Sequence, residues 1–263
     1  MTSLLIIALA TMKDVIRSRW LLFYALFFFG VTDLLVRVGG ADEKVVLSLI
    51  NVMLFITPLM TIILATVYVY DSRRFVELLL SQPVRRSHLY LGLYLGLTIP
   101  LLAVLTLALG VPLLAQPGLR EAFAGNVATL VAGGVALTLV FSALAFLIGT
   151  VVRERMRGLA AAVAIWLLLA VVYDGAVLLM VALLGDHPLE KPLLALMAAN
   201  PIDLVRVAML LRFDIAALMG YTGTVLQKVF SGPTGLLVCA AALCTWTAAL
   251  VTGGMRAFAR KDF

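Results

Sequence analysis

The sequence is poor in charge. Only 13% of its 263 residues are Asp, Glu, Lys or Arg, while 63% are hydrophobic. A water-soluble domain carries about 25% charged residues, so that class is excluded. Cysteine is nearly absent: two residues leave no disulfide framework and no thiolate metal cage. The two histidines, His88 and His187, stand far apart, and no His-Glu-x-x-His run exists. That removes a histidine-based metalloenzyme and gives an intramembrane serine nucleophile no obvious base. A phosphate-binding loop is missing too, because Gly220-Tyr-Thr-Gly-Thr224 lacks both the spacing and the lysine. ATP and Mg, if used, would be bound by another polypeptide. No internal repeat and no low-complexity tract is visible.

What the chain has in quantity is long apolar runs. Six of them reach bilayer-spanning length, at about 20–37, 45–70, 89–115, 126–151, 158–184 and 234–255. The expected fold is an all-α membrane protein with one transmembrane domain over 1–263. Ahead of the first run, Thr11 to Trp20 mixes basic and apolar positions at helical spacing without a cleavage site. It predicts an amphipathic helix on the membrane surface, with Trp20 at the interface. Thirteen of the twenty Lys and Arg residues fall on the side that holds both termini, 71–88 and 152–157. The positive-inside rule makes that side cytoplasmic. It also accounts for the net charge of +6 without invoking nucleic acid.

Two connections stand out. The first is Tyr70-Asp-Ser-Arg-Arg-Phe-Val-Glu-Leu-Leu-Leu-Ser-Gln-Pro-Val-Arg-Arg-Ser-His88. Phe75, Leu78, Leu79 and Gln82 share one helical face, Arg73, Arg74 and Glu77 fall largely elsewhere, and Pro83 ends the helix before Arg85-Arg86. A membrane-anchored linker and a helix offered to a cytoplasmic partner both fit that pattern. The second is the large outer segment 185–233, with helical periodicity over 188–199 and 201–219 around Asn200-Pro201. Asn caps helices and Pro suits their first turn, so a helix is predicted to begin at 201.

The basic pair, the aromatic, Glu77-Leu-Leu-Leu and Ser81-Gln-Pro-Val-Arg-Arg86 between spans two and three resemble the coupling-helix region of ABC-2 type permeases. Asn200-Pro-Ile-Asp-Leu-Val-Arg-Val207, continuing through Leu211-Arg-Phe-Asp214 to Thr224, is similar to the permeases of the nitrous-oxide reductase maturation (Nos) system. The resemblance implies a homodimer in the bacterial inner membrane with a separate cytoplasmic ATPase. It further implies a periplasmic repeat protein, copper-delivery components and short periplasmic helices between the last two spans. On this reading Arg73, Arg74, Phe75, Glu77, Leu78, Leu79, Pro83 and Arg85 form the ATPase-coupling element. Asn200, Pro201, Asp203, Arg206, Arg212 and Asp214 would face a periplasmic partner, with Arg206, Arg212 and Asp214 on a polar helix face. The chain itself would be a non-catalytic subunit. An exporter of a drug, lipid or ion with no periplasmic partner is the nearest rival. A secondary transporter should show inverted repeats and paired intramembrane charges.

Within the spans, Asp174 beside Tyr173 is the clear intramembrane charge and a functional candidate by position. Asp33 reads as interfacial. Cys239 and Cys244 are five apart and read as packing residues on different faces, and Met53 and Met60 as apolar filler. Gly92-Leu-Tyr-Leu-Gly96 permits close helix approach, within the chain or between copies. Pro58 and Pro100 can kink their spans. The topology is directly testable. Single cysteines at Ser81 and Pro192 should label from opposite faces of intact cells, and labelling of both from outside would end the six-span reading.

Overall fold

The computed structural model describes residues 3–39, 43–81, 83–115, 117–184, 196–212 and 233–260. Among them no strand occurs. The helices run α1 (Ser3–Ile16), α2 (Arg19–Gly39), α3 (Glu43–Asp71), α4 (Arg73–Leu80), α5 (Arg86–Ala115) and α6 (Pro117–Val151). Then α7 (Arg155–Leu167) passes through a π turn (Leu168–Val172) into α8 (Tyr173–Leu184), followed by α9 (Pro201–Arg212) and α10 (Pro233–Ala259). Among the described residues six stretches are long and apolar enough to cross a bilayer: Arg19–Gly39, Val45–Asp71, Arg86–Ala115, Val127–Val151, Arg155–Met180 and Gly235–Ala259. Each falls on one of the apolar runs, and the chain is a multi-pass membrane protein. Pro58 and Pro100 are carried inside continuous helices.

Side-chain contacts gather several helix ends at one end of the bundle. Ser3 Oγ lies 3.1 Å from His88 Nδ1, and Tyr70 Oη donates to the Val152 carbonyl at 3.0 Å. Arg86 donates to the Ala259 carbonyl at 2.8 Å, and Arg155 pairs with Asp71 at 2.7 Å. Because the arginines of 73–86 and 153–157 collect here, this is the basic end.

The surface helix expected over 11–20 begins earlier and stops at Ile16. Ser18 Oγ then accepts from the Leu21 amide at 3.3 Å and opens the next helix. Ile7, Thr11 and Val15 recur every fourth residue and are buried, which gives α1 one inward stripe. That stripe lies along α5. The Gly92–Gly96 pair is consumed within the chain: a Cβ on Gly96 would stand 2.5 Å from Thr11 Cβ and 2.7 Å from the Ala8 carbonyl oxygen. Glycine is required there because backbone meets backbone.

The centre of the bundle is α5 against α6, tied by polar contacts that an apolar core must satisfy internally. Tyr94 Oη donates to the Leu139 carbonyl at 3.0 Å, and Thr98 Oγ1 bonds Ser142 Oγ at 3.2 Å. Tyr90 is wedged between Phe146 and Phe258, with ring centroids 5.7 Å away on both sides. The fifth span is the opposite case: along α7 and the π turn only Gly158, Ala162 and Ala170 are buried in the chain. Gly96→Leu should therefore unseat α1 and lower stability by about 1–3 kcal/mol. Gly110→Ala, on the same helix with open space around the added Cβ, should be neutral. Thermal unfolding of the two detergent-solubilised variants checks both.

Candidate functional site

At the basic end the last turn of α6 exposes carbonyls that have no partner in their own helix. Arg73 supplies one. Its Nη2 donates to the Val152 carbonyl at 2.9 Å and the Gly149 carbonyl at 3.3 Å, while Nη1 donates to the Arg153 carbonyl. Its guanidinium also stacks 4.3 Å above the Tyr70 ring. A cation at a helix C-terminus is favourable both as donor and against the dipole. Arg155, on the far side of the same short connection, pairs with Asp71. The two basic-end connections are thus bound to each other.

This rearranges the predicted coupling residues. Arg73 turns inward as a clamp and does not lie at an exposed rim. Val76 is buried and Leu79 half-buried against the core. Leu79 therefore separates from Phe75 and Leu78, which stay exposed at 40% and 69%. Arg74, Glu77, Pro83 and Arg85 are exposed, and Gln82 lies outside the described residues. The free face of α4 is Arg74, Phe75, Glu77 and Leu78, an apolar pair framed by opposite charges.

The second polar group lies toward the other end, on α9. Asn200 is fully buried and is the hub. Its Oδ1 accepts from the Ile202 amide at 3.0 Å, which caps α9. Its Nδ2 donates to Asp203 Oδ2 at 3.1 Å and to the Leu169 carbonyl at 2.8 Å. Leu169 belongs to the π turn. Arg206 then closes the group. It meets Asp174 at 2.8 Å and 3.0 Å and Asp203 at 2.8 Å.

Leu169 sits near the middle of the span Arg155–Met180. Trp246, mid-way along Gly235–Ala259, donates its indole N–H to the Ala198 carbonyl at 3.1 Å. Two independent bonds therefore hold the 196–201 bend against the middles of the fifth and sixth spans. Val205 and Met209 of α9 press on Gly133 of α6, where a Cβ would stand 2.7 Å from Val205 Cγ1.

The expected outward polar face is corrected accordingly. Asn200, Pro201 and Asp203 are buried, and Arg206 is turned to its two carboxylates. Residues 202–209 of α9 are buried apart from the half-buried Arg206, because the helix lies inside the bundle. The side chain of Arg212 and the whole of Asp214 lie outside the described residues, as does most of 185–233. Asp174 is brought together with Arg206, a pairing that sequence reading left open. Asp33 pairs with Arg37 at 2.6 Å on its own helix. Cys239 and Cys244 differ in burial yet border one apolar groove of about 700 Å3 between α6, α9 and α10. Sequence reading passed over Trp166, whose indole bonds the Phe55 carbonyl at 3.1 Å, and Trp246. An indole N–H inside an apolar span needs an acceptor, and that was the available signal.

A bundle of six apolar helices with a clamped amphipathic helix at one end and a short helix packed inside it is the architecture of a polytopic membrane protein. Compared with known proteins, the chain is similar end to end to an ABC transporter permease. The "Probable ABC transporter permease protein NosY" of Pseudomonas aeruginosa is 28% identical over 276 aligned residues, covering 97% of each chain. The protein of the same name from Stutzerimonas stutzeri is 27% identical, covering 79% of this chain and 81% of its own length. No family model matches.

The polar group makes an asymmetric prediction. Arg206→Leu strands two carboxylates and should cost roughly 2–4 kcal/mol, somewhat below the ~3–5 of a fully buried pair. Asp174→Asn leaves Arg206 its bond to Asp203 and should cost less than half as much. Equal losses in thermal unfolding would show that Arg206 is not the shared counter-ion.

Proposed function

We propose that this chain is the permease subunit of an ABC transporter in the bacterial inner membrane. Two copies pair with a separate cytoplasmic ATPase, which binds ATP and Mg and carries out the hydrolysis. The end-to-end similarity to the two permeases carries the reading. The arginine-rich end faces the cytoplasm by the positive-inside rule, which puts both termini and α4 there. The free face of α4 suits a groove on such a partner: Phe75 and Leu78 as anchors, Arg74 and Glu77 at the rim. Arg73 and the Asp71–Arg155 pair would pass displacement of α4 to the end of α6 and to α7.

The likeness of the Asn200–Thr224 stretch to the Nos permeases supports a role in copper-site maturation of nitrous-oxide reductase, alongside a periplasmic repeat protein. The buried positions of Asn200, Pro201, Asp203 and Arg206 make them support for an outer docking surface and not the contacts themselves.

Burying a Phe or Leu side chain is worth roughly 1.5–3 kcal/mol, whereas an exposed rim ion pair gives about 0–1 kcal/mol. Phe75→Ala with Leu78→Ala should therefore strip the ATPase from the purified complex, while Arg74→Ala should change little. Co-purification from native membranes at matched permease levels measures it. Unaltered ATPase retention by the double variant would leave α4 as an interfacial linker only.

A further inference from the structure

Beside α1, at the basic end, lies a cleft of about 560 Å3 that meets the preceding roles only at Asp71 and Phe75. One wall is apolar, built from Leu64, Val67, Leu97 and Leu101. Its lining is also charged, with Asp14 of α1 and Arg17 just after it three residues apart and Trp20 beyond them. Trp20 is 61% exposed, an aromatic of the kind that marks the bilayer interface. Thr11, only 2% exposed and packed on Gly96 of α5, borders the cleft beside Tyr68.

The charge in the lining narrows the ligand. Asp71, which also borders the cleft, is already neutralised by Arg155 at 2.7 Å. Asp14 and Arg17 are exposed and enter no salt bridge among the described residues. They offer one carboxylate and one guanidinium, three residues apart. We propose that this cleft binds an aminophospholipid of the phosphatidylethanolamine class. Its phosphate lies on Arg17 and its primary ammonium on Asp14. One acyl chain follows the Leu64–Leu101 wall. A primary ammonium gives Asp14 three N–H donors, which a quaternary choline group cannot. Phosphatidylglycerol brings no cation to Asp14 at all. Phe75 of α4 borders the same cleft, so the bound lipid touches the helix whose outer face is free.

The test uses the full chain, purified and delipidated in detergent, with native mass spectrometry of retained lipid. The probes are dioleoyl phosphatidylethanolamine, phosphatidylcholine and phosphatidylglycerol, with glycerophosphoethanolamine as the headgroup without chains. Phosphatidylethanolamine should be retained about three- to fivefold above the other two, the ratio a single rim ion pair provides. Asp14→Asn, at an exposed position that folding does not need, should erase that preference. Leu101→Trp should fill the cleft and abolish retention of all three lipids. Equal retention of the three lipids would overturn the proposal, as would a preference that survives Asp14→Asn. Binding of glycerophosphoethanolamine alone would overturn it as well, since the site would then read a free headgroup and not a lipid.

Discussion

The carbonyl of Leu169, in a π turn in the middle of the fifth span, accepts from the side-chain amide of Asn200. In hydrocarbon a polar group must find its partners inside the protein, and this bond gives the buried amide one. The same asparagine caps α9, which fixes where that helix starts and how deep it sits. Arg206 then falls opposite Asp174, and a buried and a half-buried carboxylate acquire a shared counter-ion. The 196–212 segment is held by polar satisfaction as much as by packing.

The basic end uses the same rule with a different donor. The carbonyls that end α6 are gathered by Arg73, which belongs to the neighbouring α4. A lysine there could not bridge several carbonyls with one planar head and also stack on Tyr70. Gly158 matters for the same reason: a Cβ at that position would overlap the Tyr70 ring that supports the guanidinium. The clamp leaves α4 with two dissimilar faces, one bound into the bundle through Arg73, Val76 and Leu79 and one free.

The spans were legible because bilayer thickness imposes a length and an apolar composition that few other constraints produce. The α9 start was legible as well, since Asn-Pro has a local meaning that does not depend on what surrounds the helix. The direction in which its side chains point was not. Asp203 and Arg206 look like a solvated face until the helix is known to lie inside the bundle, where charge is tolerated only in pairs. Arg73 carried the same ambiguity, because its partners are carbonyls nearly eighty residues away, and a carbonyl is present in every sequence. The π turn has no sequence signature at all. Leu79 was not separable from Phe75 and Leu78 in sequence, because a short helix with five apolar positions leaves open which of them remain free once one side docks.

The helix common to both polar groups is α6. Its basic end is held by Arg73, and Val69 of α3 presses on it at Gly149, where a Cβ would stand 3.1 Å from Val69 Cβ. About four turns further on, Gly133 takes Val205 of α9 at similarly close range. Both contacts need glycine, and neither leaves slack for a side chain to absorb movement. Between them α6 runs unbroken for about 24 Å at 1.5 Å per residue, within a helix of 35 residues. Cores packed at this density shift between discrete arrangements and do not deform smoothly. A displacement of α4 therefore reaches α9 most directly by moving α6 as a rod. The Asn200 and Arg206 bonds, which join α9 to the thinly packed fifth span, are the contacts such a movement would have to carry along or break.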